Sequence, residues 1–186
     1  MRFNFLAILS IALLTFTTGS SADNISFNLK NRAFALEYSH LPQEANATFS
    51  AELLHHSDNG DLFSGRFRIE QSLYDVNTDL KAGIGARALY VDVDSREGAA
   101  IALSGSLSYT FPKNTKFSVA ANIDYAPSVV SFFDMEKFYE SKFTASYQLI
   151  DHANAYIGAR YVRTKFKQVN TAAFDSGAFF GISVDL

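Results

Sequence analysis

A short turn rich in histidine and hydroxyl groups holds the residues that come nearest to a catalytic set. It reads His55-His56-Ser57-Asp58-Asn59. In hydrolases a histidine takes the proton of a serine hydroxyl while a carboxylate orients the histidine. Ser57 would therefore need His55 or another group as its base, and a carboxylate such as Glu140 or Asp58 as the orienting group. Because adjacent strand residues point to opposite faces and a working pair must converge, we interpret the turn as a polar hairpin.

The same turn offers possible metal ligands, which are His55, His56, Asp58 and Asp61. Their spacing matches no defined ligand pattern. The sequence contains no cysteine, which removes thiol catalysis and most zinc arrangements. It also contains no glycine-rich phosphate loop and no dinucleotide fingerprint. We predict no metal site, no cofactor and no enzymatic activity.

Charges of both signs recur in the middle of segments that alternate between apolar and polar residues. The cations are Arg66, Arg68, Lys81, Arg87, Lys142 and Arg160, and the anions are Glu37, Glu52, Glu70, Asp79, Asp124 and Glu140. Inside a narrow membrane barrel such residues would pair across the lumen. Nine residues are predicted to pair with one another inside the lumen: Arg66, Arg68, Glu70, Lys81, Arg87, Asp124, Glu140, Lys142 and Arg160. Such a network would either plug the barrel or line a small, weakly selective pore.

Period-two alternation predicts the strands that position these charges. Successive strand side chains point to opposite faces, and the wall of a barrel separates lipid from lumen. In the last segment, Phe180, Ile182 and Leu186 share an apolar face, while the other face is mostly small or polar. Ten segments are predicted as strands: 25–29, 34–40, 48–56, 63–70, 80–90, 101–111, 117–125, 142–149, 155–165 and 177–186.

The connections between these segments also alternate. The odd-numbered ones are mostly long and charged, at 30–31, 57–61, 92–98, 127–138 and 166–175; the even-numbered ones are mostly compact, at 41–46, 72–77, 112–115 and 151–154. Long extracellular loops and short periplasmic turns are typical of outer-membrane barrels. We therefore predict an all-β, transmembrane, antiparallel up-and-down barrel of about ten strands, with both termini periplasmic. Eight strands are the alternative, if the tight first hairpin does not form.

The first residues predict export. Arg2 is followed by an apolar run at 5–16 and a small polar stretch at 17–22. A run of about a dozen residues is too short to cross a bilayer, which requires roughly twenty helical residues. We predict a signal peptide at 1–22, cleaved after Ala22, and a barrel domain at 23–186. Loss of Arg2 changes the formal charge from −3 to −4, which argues against binding to nucleic acid.

Two features at the predicted outer rim suggest contacts. Arg163, Lys165 and Lys167 alternate beyond the ninth strand, where they would meet lipopolysaccharide phosphates. The connection from Ser128 to Met135 is unusually apolar for a loop. It would fold over the barrel mouth, pack against lipid or bind a partner, and we favour the first, a lid. A soluble β-sandwich also alternates, but export, loop lengths and mid-strand charges together favour the membrane barrel.

Four stretches of the chain resemble the YfaZ family of outer-membrane proteins. They are His55 to Asp61, Tyr125-Ala126-Pro127 with Tyr139-Glu140, Gly158-Ala159-Arg160-Tyr161, and Gly177 to Leu186. The resemblance implies a small outer-membrane barrel and supplies no catalytic residues. Leu186 replaces the terminal phenylalanine that is usual in such barrels. The His55–Ser57 turn is loosely similar to the His-x-Ser-Asn element of outer-membrane lipid A deacylases.

We therefore expect a small outer-membrane barrel of structural or narrow-pore type, without a defined substrate. The alternatives are a lipid A-modifying hydrolase that uses the His55–Ser57 turn, or an adhesin-like surface protein. The expected partners are outer-membrane lipid, lipopolysaccharide and, during biogenesis, the barrel assembly machinery. We expect a monomer.

Overall fold

Strands make up almost all of the described chain. The computed structural model describes residues 21–42, 46–73, 79–93, 96–167 and 172–186. Residues 1–20 of the predicted signal peptide lie outside this part. The strands are β1 Ser21–Lys30, β2 Ala33–Pro42, β3 Ala47–His56, β4 Gly60–Ser72, β5 Asp79–Val93, β6 Arg96–Phe111, β7 Asn114–Ala126, β8 Ser131–Phe133, β9 Met135–Ile150, β10 Ala153–Phe166 and β11 Ala172–Asp185, and a 3₁₀ turn spans Ser128–Val130. No helix in the described residues is long and apolar enough to cross a membrane.

The strands close into a barrel. Each long strand pairs antiparallel with the next one along the chain, β7 pairs with β9, and β11 returns to pair with β1. Because β5 also pairs with β6, these contacts form a ring of ten strands, while the short β8 adds to the end of β6. The predicted ten-stranded barrel is confirmed. The eight-strand alternative is wrong, because the tight first hairpin forms with Lys30 opposite Ala33.

The outer face of this barrel is apolar. Ile84, Leu103 and Ile157 point away from the lumen and are 63%, 65% and 67% exposed, respectively. Exposed apolar area on this scale is unfavourable in water and is the normal surface of a barrel in lipid. Over most of each strand the side chains therefore alternate as predicted, with apolar residues on the outer face and polar residues facing the lumen.

The two ends of the barrel differ. The Leu186 end carries the β2–β3, β4–β5, β6–β7 and β9–β10 connections, and the far end carries the others. Towards the far end the strands run further than the sequence predicted. Asp92 pairs with Glu97 within the β5–β6 ladder, where a loop was expected, and β9 begins at Met135. Once the two faces of a strand have similar polarity, the period of two is lost from the sequence although the backbone ladder continues.

The seam between the first and last strands is short. β1 and β11 share six residue pairs, from Asn24–Asp185 to Leu29–Phe180, whereas β5 and β6 share fifteen. Beyond the seam β11 continues towards the far end, where the β3–β4 hairpin approaches it. Asn59 Nδ2 donates to the Phe174 carbonyl at 2.5 Å. Lys30 Nζ forms an ion pair with Asp175 at 2.5 Å.

Candidate functional site: the barrel lumen

The middle of the lumen contains a network of eight charged side chains, which we call the lumen network. Its members come from seven strands and point inwards because they share the strand face opposite to the lipid-facing residues. They are Glu37, Glu52, Arg66, Arg87, Asp124, Glu140, Lys142 and Arg160. Four cations meet four anions, so the network is formally neutral.

Arg87 lies at the centre of the network and its side chain is 0% exposed. Its Nη1 donates to Asp124 Oδ2 at 2.8 Å and to Glu140 Oε2 at 2.6 Å. Its Nη2 donates to Glu52 Oε2 at 3.0 Å. One guanidinium therefore holds three carboxylates from three strands, which the planar, multiply donating arginine head group allows.

Arg160 completes a ring with Arg87. Its Nη2 donates to Glu52 Oε1 at 2.5 Å, and its Nε lies 3.5 Å from Glu140 Oε1. Two arginines and two glutamates thus alternate around a closed circuit. Burial of such charges is tolerated only when each one is paired and hydrogen-bonded, because desolvation of an isolated ion costs several kcal/mol.

A second branch connects the ring to the Leu186 end. Arg66 Nη2 donates to Asp124 Oδ2 at 2.9 Å, and Arg66 Nη1 lies 3.6 Å from Glu37 Oε1. Lys142 Nζ donates to Glu37 Oε2 at 3.3 Å. These side chains are between 1% and 15% exposed, so the network becomes slightly wetter in this direction.

The Leu186 half of the lumen contains a polar cavity of about 230 Å³. Arg66, Arg68 and Lys142 line it, together with hydroxyl and amide groups that include Ser39, Ser146 and Asn122. The lumen therefore holds open, polar space on this side of the lumen network.

The remaining sequence-predicted lumen residues lie at this end and do not join the lumen network. Arg68 pairs separately with Glu70 at 3.0 Å. Gly83 makes room for them, since a Cβ there would lie 2.7 Å from Arg68 Cδ and 2.9 Å from Glu70 Cγ. Lys81 is exposed and takes part in none of the ion pairs found among the described residues. The side chain of Asp79 lies outside the described part.

The far half of the lumen is mostly apolar, which the sequence did not predict, although Asn28, Thr164 and Asp175 are also buried there. A layer of buried side chains fills it, and we call it the apolar layer: Leu54, Leu62, Leu89, Val91, Met135, Phe138, Val162, Phe166 and Phe174, with several small alanines. It contacts the lumen network through Phe138, whose ring lies 5.7 Å from the Arg87 guanidinium carbon. The sequence does contain a signal for this layer, because adjacent apolar residues such as Leu53-Leu54 and Leu62-Phe63 interrupt the alternation and indicate strands that are apolar on both faces.

The apolar 128–135 connection divides between inside and outside. Met135 is buried in the apolar layer and Val130 packs against it. Gly98 allows this, because a Cβ at that position would lie 2.8 Å from Met135 Cβ. Val129 is 84% exposed, and Phe132 and Phe133 are also exposed. The expected lid is therefore limited in this structure to Val130 and Met135, and the tip of the connection stays outside.

The histidine-rich turn does not bring its hydroxyl to a histidine. His55 Nδ1 lies 2.7 Å from Asp61 Oδ1 on the outer face, whereas Ser57 Oγ donates to the Arg32 carbonyl at 3.2 Å. His56 Nδ1 accepts from the Asp58 backbone N–H at 3.2 Å. Among the described residues, no group of three or more His, Asp or Glu side chains is placed to hold a metal ion.

The basic residues near the far end of β10 face outwards. Arg163 is exposed, and Lys165 forms an ion pair with Glu136 at 2.8 Å. Lys167 Nζ instead donates to the Phe133 carbonyl at 2.8 Å, which ties it to the 128–135 connection. The three residues predicted to act together are thus separated into an outward pair and a residue that fastens a loop.

The chain was compared with solved structures, curated protein sequences and protein families. Two solved structures, a KdgM porin and a KdgM porin in complex with disordered oligogalacturonate, align with TM-scores of 0.47 and 0.49. Each porin is 10% identical to this chain. Each alignment covers 89% of this chain and 99% of the porin chain. The assignment of the fold rests on the strand pairing described above. No curated protein sequence matches the chain. The YfaZ precursor family matches residues 3–186, almost the whole sequence, and the chain therefore belongs to the YfaZ family.

Proposed function

We propose that this protein is an outer-membrane barrel that is sealed at rest, with its Leu186 end in the periplasm and its far end outside the cell. The observation that carries the proposal is the filled lumen, in which Arg87 is completely buried halfway along the barrel. A sealed barrel serves the outer membrane as a structural component or as a closed pore, without a defined substrate.

Two barriers in series support this proposal. An ion that crosses the lumen network must displace paired charges, and one that crosses the apolar layer must leave water altogether. Small barrels of about eight strands are filled by their own side chains, and this ten-stranded barrel is filled by two layers of different chemistry. The polar cavity at the Leu186 end would be a vestibule that opens to the periplasm.

Planar bilayer recording tests the seal with the native protein, Arg87→Ala, Phe138→Ala and the double variant. Because the barriers act in series, we expect no conductance from the native protein and the clearest increase from the double variant. Arg66→Ala is the second network variant, in case Arg87→Ala does not fold; a gel band that shifts on boiling identifies folded protein. Steady conductance from the native protein would show that the lumen is open.

Location is tested separately. Cell fractionation combined with gel migration should place a heat-modifiable band in the outer membrane, as expected of a folded barrel in lipid. Recovery of the protein as a soluble periplasmic species would refute the membrane assignment, whatever the conductance experiment gives.

We also propose that the histidine-rich turn has no catalytic role. Ser57 and His55 are engaged by different partners, Arg32 and Asp61, and so lack the convergence that a nucleophile and its base require. Lipid A from cells that express the native protein or the Ser57→Ala, His55→Ala double variant should carry the same acyl chains. A species that disappears in the double variant would revive the hydrolase alternative.

A further inference from the structure

Two lysines face each other on the outer surface near the far end. Lys137 of β9 and Lys165 of β10 are directly opposite in the antiparallel register. Arg163 lies two residues before Lys165 on the same face, diagonally across from Lys137. Directly opposed like charges destabilise a sheet, because their Cβ atoms are only about 5 Å apart. We call these three residues the outer cation cluster.

The protein itself compensates this cluster only in part. Glu136 accepts a hydrogen bond from Lys165 at 2.8 Å. Lys137 and Arg163 take part in none of the ion pairs found among the described residues, and both are exposed. Three cations and one carboxylate leave a local excess of two positive charges. An anion between the two strands would relieve the repulsion.

A row of tyrosines shows the height of the cluster relative to the membrane. Tyr125 lies opposite Tyr139 in the β7–β9 ladder, and the Tyr139 and Tyr161 rings are 6.3 Å apart on the outer face. Outward aromatic residues in such rows mark the boundary between hydrocarbon and head groups. Lys137 precedes Tyr139 by two residues, and Arg163 follows Tyr161 by two. Because β9 and β10 are antiparallel, both cations lie about 7 Å further towards the far end than their tyrosines. The cluster therefore lies at the level of lipid phosphates.

We propose that the outer cation cluster binds a phosphate of lipid A, the anchor of lipopolysaccharide in the outer leaflet. This inference rests on the proposed orientation, in which the far end faces outwards. The diphosphorylated head of lipid A supplies the anionic charge that the cluster lacks. Lys137 takes the place of Lys167, which the sequence alone had suggested but which is committed to Phe133.

Binding is measured with the purified full chain in detergent, by titration with lipopolysaccharide, lipid A whose phosphates have been removed, and phosphatidylglycerol. Variants replace Lys137, Arg163 and Lys165 with Gln, singly and together. The matched control is Lys113→Gln with Lys116→Gln, because these two lysines are exposed at the Leu186 end. The heat-modifiable band without lipid shows that each variant is folded.

We expect each single substitution to weaken lipopolysaccharide binding about fivefold, which corresponds to about 1 kcal/mol per cation. The triple variant should bind on the order of 100-fold more weakly, and the control should bind like the native protein. Glu136→Gln should strengthen binding, because it removes the competing carboxylate. Raised salt should weaken the native affinity more than that of the triple variant.

Equal binding of dephosphorylated lipid A, or an unchanged triple variant, would overturn the proposal. Equal affinity for phosphatidylglycerol would overturn the assignment to lipid A. None of these outcomes depends on whether the lumen conducts, because the cluster lies on the outer face. A conducting native protein that still binds through these residues would contradict the seal alone. Recovery of the protein as a soluble periplasmic species would contradict the membrane assignment, on which both the seal and the lipid A site rest.

Discussion

Arg87 concentrates the stability of the lumen in one side chain. Its guanidinium is the shared partner of Glu52, Asp124 and Glu140. Arg87→Ala would leave these carboxylates buried with too few cations, and loss of one partner of a buried ionic network costs about 3–5 kcal/mol. We expect a loss of stability of that size, measured by urea unfolding in vesicles. Because the chain has no tryptophan, the folded fraction is followed by gel migration.

The matched control is another arginine in an ion pair. Arg32 pairs with Asp58 at 2.6 Å, but the two side chains are 65% and 51% exposed. Surface pairs contribute roughly 0–1 kcal/mol, so Arg32→Ala should change stability little. Equal effects of the two substitutions would mean that the lumen is wetter than the contacts around Arg87 indicate.

At the residue scale, the alternating pattern predicts the side of the wall but not the position along it. Arg66, Arg87, Asp124, Glu140, Lys142 and Arg160, all predicted to point inwards, meet in one network. Lys81 has the same inward parity, yet it lies near the end of β5, too far along the strand to join. Contact across a lumen depends on the tilt and stagger of the strands, which a single strand's sequence does not contain.

At the element scale, the β3–β4 hairpin secures the part of β11 that extends beyond the seam. Asn59 supplies the hydrogen bond to the Phe174 carbonyl, and the His56 and Phe174 rings are 6.4 Å apart. Loss of one such bond costs about 1 kcal/mol. Asn59→Ala should therefore speed amide exchange in residues 173–177 about fivefold.

Asn114→Ala is the control for this experiment, since Asn114 is exposed at the start of β7, at the Leu186 end. It should leave exchange in β11 unchanged. If Asn59→Ala also leaves exchange in residues 173–177 unchanged, the hairpin does not hold this part of β11.

The strands around the apolar layer also show why alternation in the sequence does not predict this layer. Leu62 and Phe63, or Leu89 to Val91, are apolar on both strand faces, because one face meets lipid and the other meets the packed lumen. A strand that is apolar on both sides has no period of two, and its sequence resembles any buried segment. The alternation therefore predicted strands well where the lumen is polar, and it shortened or blurred them where the lumen is dry.

At the scale of the whole molecule, the mature chain is predicted to begin at Asp23. Ser20 and Ala22 are small enough for the pocket of a signal peptidase. The intact mass of the protein purified from the outer membrane should correspond to 186 minus 22, or 164, residues. Ala22→Leu should instead accumulate the longer precursor. A full-length mass for the native protein would contradict cleavage.

The architecture could be predicted because several weak signals pointed to one topology. Ten alternating segments, with connections of alternating character, admit few arrangements other than a closed up-and-down ring. Loop lengths were the less successful part, since the β5–β6 ladder runs on to Val93 opposite Arg96. Backbone pairing needs no particular side chains once neighbouring strands are aligned, so its end is poorly encoded in the sequence.

The short seam has a consequence for the order of folding. Asn24 and Asp185 are joined across it by a side-chain hydrogen bond of 2.7 Å, yet they are 161 residues apart in the chain. Contacts this distant in sequence carry a high entropic cost of loop closure. The six residue pairs of the seam offset this cost less than the fifteen pairs between β5 and β6 would. The ring should therefore zip around from its hairpins and join β1 to β11 last. The intermediate is then an open, curled sheet with two unpaired edges in the bilayer. Because contacts that form last are least developed in the transition state, substitutions in the seam should mainly speed unfolding, whereas equivalent ones between β5 and β6 should slow refolding.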